Sequence, residues 1–110
     1  MPDRAERVGL NEAVFREVNE RIEDLAEKLD LEDRLLDLVC ECGDANCVER
    51  ISMTRSEYEK VRSDPRQFSV YPGHQDDRIE VIRDHCRGYD VVRKLDPEAE
   101  SVAEATDPRH

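Results

Sequence analysis

Tryptophan is absent from this chain, and only two phenylalanines and three tyrosines stand among its 110 residues. With 37 % apolar residues the core must be small, and a core of that size gains from a staple, of which a structural metal is one kind. No apolar run reaches ~18 residues, which excludes a membrane-spanning helix. The opening stretch from Met1 to Gly9 is charged and carries no signal-peptide core. Recognisable catalytic patterns are missing too. There is no His-Glu-x-x-His, no glycine-rich phosphate loop, no His-x-Glu followed by Pro-Cys-x-x-Cys, and no serine in a nucleophile-elbow setting. The expectation is a protein that is not an enzyme.

Basic residues are outnumbered by acidic ones, 17 to 28. The net charge is −11 and the isoelectric point about 4.7. Phosphate backbones and anionic membrane surfaces are therefore poor partners, and a basic protein surface is a better one. A nucleic-acid module would need a local basic patch, and Arg83, Arg87, Arg93 and Lys94 are interleaved with acids. The length fits one domain.

What the chain does have is a cysteine cluster. Three of its four cysteines fall in the run Cys40-Glu41-Cys42-Gly43-Asp44-Ala45-Asn46-Cys47. A cytosolic location is expected, where thiols stay reduced and clustered cysteines point to metal or redox chemistry rather than to disulfides. Zinc takes four tetrahedral ligands, and three thiolates with one imidazole form a common structural set. The fourth ligand must come from afar. His74 fits, because Pro72-Gly73 turns the chain into it directly after a strand; His85, Asp44 and Cys86 are the competitors. Cys40-x-Cys42 is tighter than the usual two-residue separation. It calls for a sharp backbone turn, with Gly43 and Asn46 supplying the freedom and turn N–H groups moderating the thiolate charge. The rival readings are ordinary buried cysteines and a redox pair at Cys40 and Cys42. Redox motifs favour Cys-x-x-Cys at a helix N-terminus, whereas this pair follows a strand and neighbours Glu41 and Asp44.

The elements follow from local pattern. Residues 1–9 read as a flexible arm. Asn11 is a plausible N-cap, with Leu10 stapled onto Phe15. Phe15, Val18, Ile22, Leu25 and Leu29 recur at spacings of 3, 4, 3 and 4, an a/d stripe on a helix over about 11–30. That stripe either packs on its own domain or forms a seam with a second copy or a partner protein. Leu35 to Cys40 and Val48 to Met53 read as a hairpin whose loop carries the cysteines. Thr54-Arg55-Ser56-Glu57 is a capping box, Met53 and Tyr58 staple it, and the helix should run from 55 to 63 before Pro65. Phe68 to Tyr71 alternates like a strand, and 78–95 like a hairpin turning near Arg87-Gly88. Beyond Asp96-Pro97 little can be buried, so 97–110 is expected as a disordered or weakly helical acidic tail. The fold class is α+β over 10–96: a long N-terminal helix, a short capped helix, and a small antiparallel sheet of four or five short strands stapled by zinc.

Several stretches together resemble a family of small, acidic, uncharacterised proteins common in high-GC Gram-positive bacteria. They are Asn11 to Ile22, Cys40-Glu41-Cys42-Gly43-Asp44 with Cys47, Glu57-Tyr58-Glu59-x-Val61-Arg62, Phe68 to His74, and Tyr89-Asp90-Val91-Val92. The resemblance covers about four fifths of the chain. It implies the three cysteines and the Pro-Gly-His as shared features and Cys86 as incidental. Leu35-Leu36-Asp37-Leu38-Val39 departs from the Phe-rich version of that segment. No activity is implied. The functional expectation is a small zinc-stapled protein-interaction or regulatory module acting through its acidic surface and N-terminal helix. The alternative is a thiol- or zinc-dependent redox sensor or enzyme using Cys40 and Cys42.

Overall fold

The computed structural model describes residues 4–31, 34–95 and 97–109, with side chains from Arg7 onward. The segment expected as an arm is helical from Arg4, and α1 runs Arg4–Lys28; residues 1–3 lie outside the described residues. Asn11 is therefore not an N-cap but a mid-helix residue, and its Nδ2 donates to the Gly43 carbonyl at 3.0 Å. The helix ends where Asp30 takes φ +57°. Asp30 N–H and Leu31 N–H then return to the Glu27 and Ala26 carbonyls at 3.1 and 2.9 Å, a Schellman closure with aspartate in the left-handed position.

Strands β1 (Leu35–Val39) and β2 (Arg50–Thr54) form an antiparallel hairpin with Leu36 opposite Met53 and Leu38 opposite Ile51. Period-two alternation sends all four inward. Helix α2 (Arg55–Arg62) starts on the capping box read from the sequence. The Thr54 hydroxyl accepts from Glu57 N–H at 3.2 Å, and the Glu57 carboxylate accepts from Thr54 N–H at 2.9 Å. Strands β3 (Gln67–Val70), β4 (Glu80–Cys86) and β5 (Tyr89–Lys94) make a second antiparallel sheet in the order β3-β5-β4. The class is thus α+β, with the strands divided between two small sheets rather than joined in one.

The segment expected as a disordered or weakly helical tail is helix α3 (Pro97–Ala105), and it is packed on the domain. Its inner face is Ala99 and Ala103, small enough to let α3 lie close against α1 beside Gly9, where a Cβ would stand 2.7 Å from Val102. Arg16 reaches the C-terminal end of α3 and donates to the Ala103 carbonyl at 2.7 Å, satisfying an end-of-helix acceptor. Alanine and one distant arginine do what large apolar residues normally do, which composition alone conceals.

The largest departure concerns α1. The heptad stripe faces the domain only along one edge: Phe15 and Ile22 are half-buried, Ile22 against the core, whereas Val18, Leu25 and Leu29 are 39, 57 and 60 % exposed, as is the neighbouring Val14 at 60 %. Glu12, Arg16, Asn19, Glu23 and Ala26 are buried instead, a second set at spacings of 4, 3, 4 and 3. Each polar member has a partner across the interface. Lys94 Nζ donates to Glu12 and Glu80 at 2.5 Å each. The Arg16 guanidinium lies 4.5 Å from the Phe68 ring centroid. Asn19 exchanges hydrogen bonds with the Val39 backbone, both at 2.9 Å. Glu20 accepts from Arg62 at 2.5 Å, and Glu23 from Arg55 at 2.6 Å. Burial of charge is tolerable only when paired in this way.

Apolar packing falls into two clusters. Leu36, Leu38, Ile51, Met53, Tyr58, Val61, Tyr89 and Val91 fill the first. Phe68, Val70 and Val92 fill the second together with Cys40 and Cys42.

Candidate metal centre

The loop between β1 and β2 carries three of the four converging groups. Cys40, Cys42, Cys47 and His74 place one donor atom each within 4.8 Å of one another, a set that could hold a metal ion. His74 Nδ1 stands 3.7 Å from Cys40 Sγ and 3.6 Å from Cys47 Sγ. His74 is delivered by the Tyr71-to-His74 turn, whose N–H closes on the Tyr71 carbonyl at 2.9 Å with Gly73 at φ +92°. All four cysteines are free thiols.

Among the rival fourth ligands, none joins the cluster. Asp44 accepts from Asn46 N–H at 2.9 Å and closes the turn before Cys47. His85 lies on β4 with Nδ1 3.0 Å from Asp90. Cys86 packs at the edge of the first apolar cluster, away from the other thiols.

The backbone solution differs from the turn expected between Cys40 and Cys42. Cys40 N–H donates to the Glu49 carbonyl at 3.2 Å, and Glu41 N–H to the Ser69 carbonyl at 2.8 Å, so both neighbours hold the pair in line with the sheets. Glu41 then points away from the sulfurs into the protein. It is fully buried, accepting from Asn19 Nδ2 at 2.8 Å and Ser69 N–H at 2.9 Å. Burial raises its pKa, with those hydrogen bonds pulling the other way. Nor is Gly43 needed for a left-handed backbone: among the described residues φ is positive only at Asp30, Gly73 and Gly88. Gly43 is needed for space, because a Cβ there would lie 2.2 Å from Val8 on α1.

Amide donors surround the sulfurs. Tyr71 N–H donates to Cys40 Sγ at 3.1 Å, and the N–H groups of Asp44 and Glu49 reach Cys42 and Cys47. Such bonds offset the accumulated charge of clustered thiolates. The hydrogen bond between Cys40 and Cys42 lowers Cys42, assisted by Asp44 N–H and His74, and together with burial raises Cys40. Burial raises Cys47. One face of the cluster, at Cys42 and His74, opens on a cleft of about 620 Å³ between the loop and α1, so an ion has a path in.

The sequence pointed to the four clustered groups through their chemistry. It did not reveal Glu41, Asn19 and Ser69, which fasten the loop from behind. The only available signal was an asparagine on the polar stripe of α1.

No protein-family model matches this chain, and neither the curated proteins nor the solved structures contain a match. Among the described residues no helix is long and apolar enough to cross a membrane.

Proposed function

We propose that Cys40, Cys42, Cys47 and His74 bind a structural Zn²⁺ ion, and that the stapled domain serves as a protein-interaction module through its acidic surface and α1. The convergence of three thiols and one imidazole carries the first half. In a tetrahedral site with Zn–S near 2.3 Å and Zn–N near 2.0 Å, sulfur and nitrogen stand about 3.5 Å apart. The observed 3.6 and 3.7 Å fit that edge. Three thiolates and an imidazole fill four positions and leave none for an activated water, which favours a structural ion over a catalytic one. The net charge of −11 and the exposed apolar stripe of α1 support the interaction role.

A redox reading draws on the lowered Cys42 thiol and the cleft beside it. The same thiolate character is what a zinc ligand requires, and two further donors converge on it. Elemental mass spectrometry on protein purified without chelator or metal-affinity resin decides between them. One zinc per chain, lost in Cys42→Ser and weakened in His74→Ala, supports the staple. Metal-free protein with four freely titrating thiols overturns it in favour of redox chemistry.

A further inference from the structure

We propose that the exposed apolar face of α1 is seated against the same face of a second copy of this chain. The inference rests on the interaction role proposed above and names its partner. Leu10, Val14, Val18, Leu25 and Leu29 are 46, 60, 39, 57 and 60 % exposed along one side of a single helix. The opposite side is committed to the domain through paired charges and cannot turn outward without stranding Glu12, Arg16 and Asn19.

Three features favour a second copy as the occupant. The first is spacing. Val18, Leu25 and Leu29 stand exposed at spacings of 7 and 4, on the 3.5-residue period at which two like helices interlock knob into hole, with Phe15 and Ile22 half-buried along the inner edge of that seam. The second is charge. The exposed flank alternates in sign, Glu17, Arg21, Asp24, Lys28, and Glu17 pairs with Arg21 at 3.1 Å. A basic partner would be met by an acidic flank, whereas this one offers both signs to its own copy. The third is area. From Leu10 to Leu29 the stripe spans roughly 28 Å, and two such stripes in contact bury on the order of 1,000 Å² in total, the lower edge of what specific assemblies need. An interface of that size is expected to give a weak, concentration-dependent dimer.

Salt gives the proposal a sign. Each copy carries −11, so the bodies repel while the seam attracts by apolar contact. Added salt screens the repulsion and strengthens the dimer; a basic partner would be weakened by the same salt.

Sedimentation equilibrium on the metal-loaded full chain tests this. The expected result is a monomer–dimer equilibrium that tightens about fivefold as the Debye length falls from ~14 to ~4 Å. Val14→Glu and Leu25→Glu, both at exposed positions, should weaken it at least tenfold with unchanged far-UV circular dichroism. Val81→Glu, an exposed apolar site on β4, should leave it intact. A monomer at every concentration and salt, or a dimer that survives both helix variants, overturns the proposal. Its failure is separable from failure of the interaction role. If the monomeric protein binds a synthetic cationic amphipathic helix and Leu25→Glu abolishes that binding, the interaction role stands and only the second copy falls. If neither copy nor peptide binds, both fall.

Discussion

The hairpin β1–β2 with α2 and the sheet β3-β5-β4 are held by different means. Beneath the first, Leu36, Leu38, Ile51, Met53, Tyr58 and Val61 meet Tyr89 and Val91 from β5 as an ordinary apolar core. Beneath the second, Phe68, Val70 and Val92 meet two cysteine side chains, and the space around them is closed by Arg16 over Phe68 and by Lys94 between two glutamates. A chain with two phenylalanines and no tryptophan lacks the hydrocarbon for two complete cores. The deficit falls on the side where the thiols, the imidazole and the polar face of α1 converge. Apolar packing fills the first half, edged by the Arg55–Glu23 and Arg62–Glu20 pairs to α1, whereas thiols and buried pairs stand inside the second.

If that contrast is right, the halves should fail differently. The largest effect belongs to the metal. Chelation, or Cys42→Ser, should remove roughly 5 kcal/mol or more of unfolding free energy, because binding energy at a structural site is folding energy. Urea titrations with zinc and with chelator measure it, and Cys42→Ser should no longer respond to chelator. Next in size is Leu38→Ala in the first core, where Leu38 is wholly buried. Its loss should be about 2–5 kcal/mol from transfer and cavity terms, equal with and without metal. A Leu38 penalty that changes on chelation would show that the two halves are one cooperative core.

Smaller is Glu41→Gln, which probes the tie between them. Its amide would set a donor against either Asn19 Nδ2 or Ser69 N–H, both of which the carboxylate now accepts from, at 2.8 and 2.9 Å. A loss of about 1–3 kcal/mol is expected for a buried polar atom left facing a like group. Since Glu41 lies between two of the clustered cysteines, zinc release to a competing chelator should also quicken. Unchanged release kinetics would mean that the loop holds its shape without α1.

The same contrast decides what could be read from the sequence. Signals carried by a few adjacent residues were legible. Thr54 to Glu57 is a complete capping box with both of its hydrogen bonds inside four residues. The cysteine triple and the Pro-Gly-His turn announced themselves by ligand chemistry across a gap of 27 residues. The inward face of α1 was not legible, because the helix carries two interleaved heptad stripes, and apolar periodicity ranks hydrocarbon without saying what the domain offers opposite. That domain offers Lys94, Arg62, Arg55 and the Val39 backbone, each supplied by a segment distant in sequence. That α3 packs on the domain was not legible for a related reason. Ala99 and Ala103 bury little area, and their worth lies in close approach to Gly9 and in the Arg16 bond at the helix end.

The smallest prediction isolates one member of the polar face. Lys94 sits between Glu12 and Glu80 with Glu12 wholly buried. One cation beside two carboxyls in a dry site favours a neutral net arrangement, with one carboxyl protonated. Burial above all raises the Glu12 carboxyl to about 8, against the pull of Lys94 and with help from Glu80. In the unfolded chain the same group titrates near 4.5. Between those pH values the folded protein keeps a proton that the unfolded chain has released. Stability from this group is therefore full below about 4.5 and declines as pH rises toward 8. Asp64 runs the other way. Despite burial, hydrogen bonds from Arg66 and Arg93 hold it at about 2, so its contribution is lost only as pH falls below the ordinary aspartate range. Metal binding adds a third slope, because thiolate ligands bind better as protons leave. The Glu12 slope is exposed by difference, at saturating zinc, between wild type and Glu12→Gln, whose neutral amide stands in for the protonated acid. The two should be close to equal near pH 5, and the variant should become steadily the more stable as pH rises to 8. A wild type that gains on Glu12→Gln with rising pH would show that Glu12 is ionised in the folded state and that the Lys94 cluster tolerates a net negative charge.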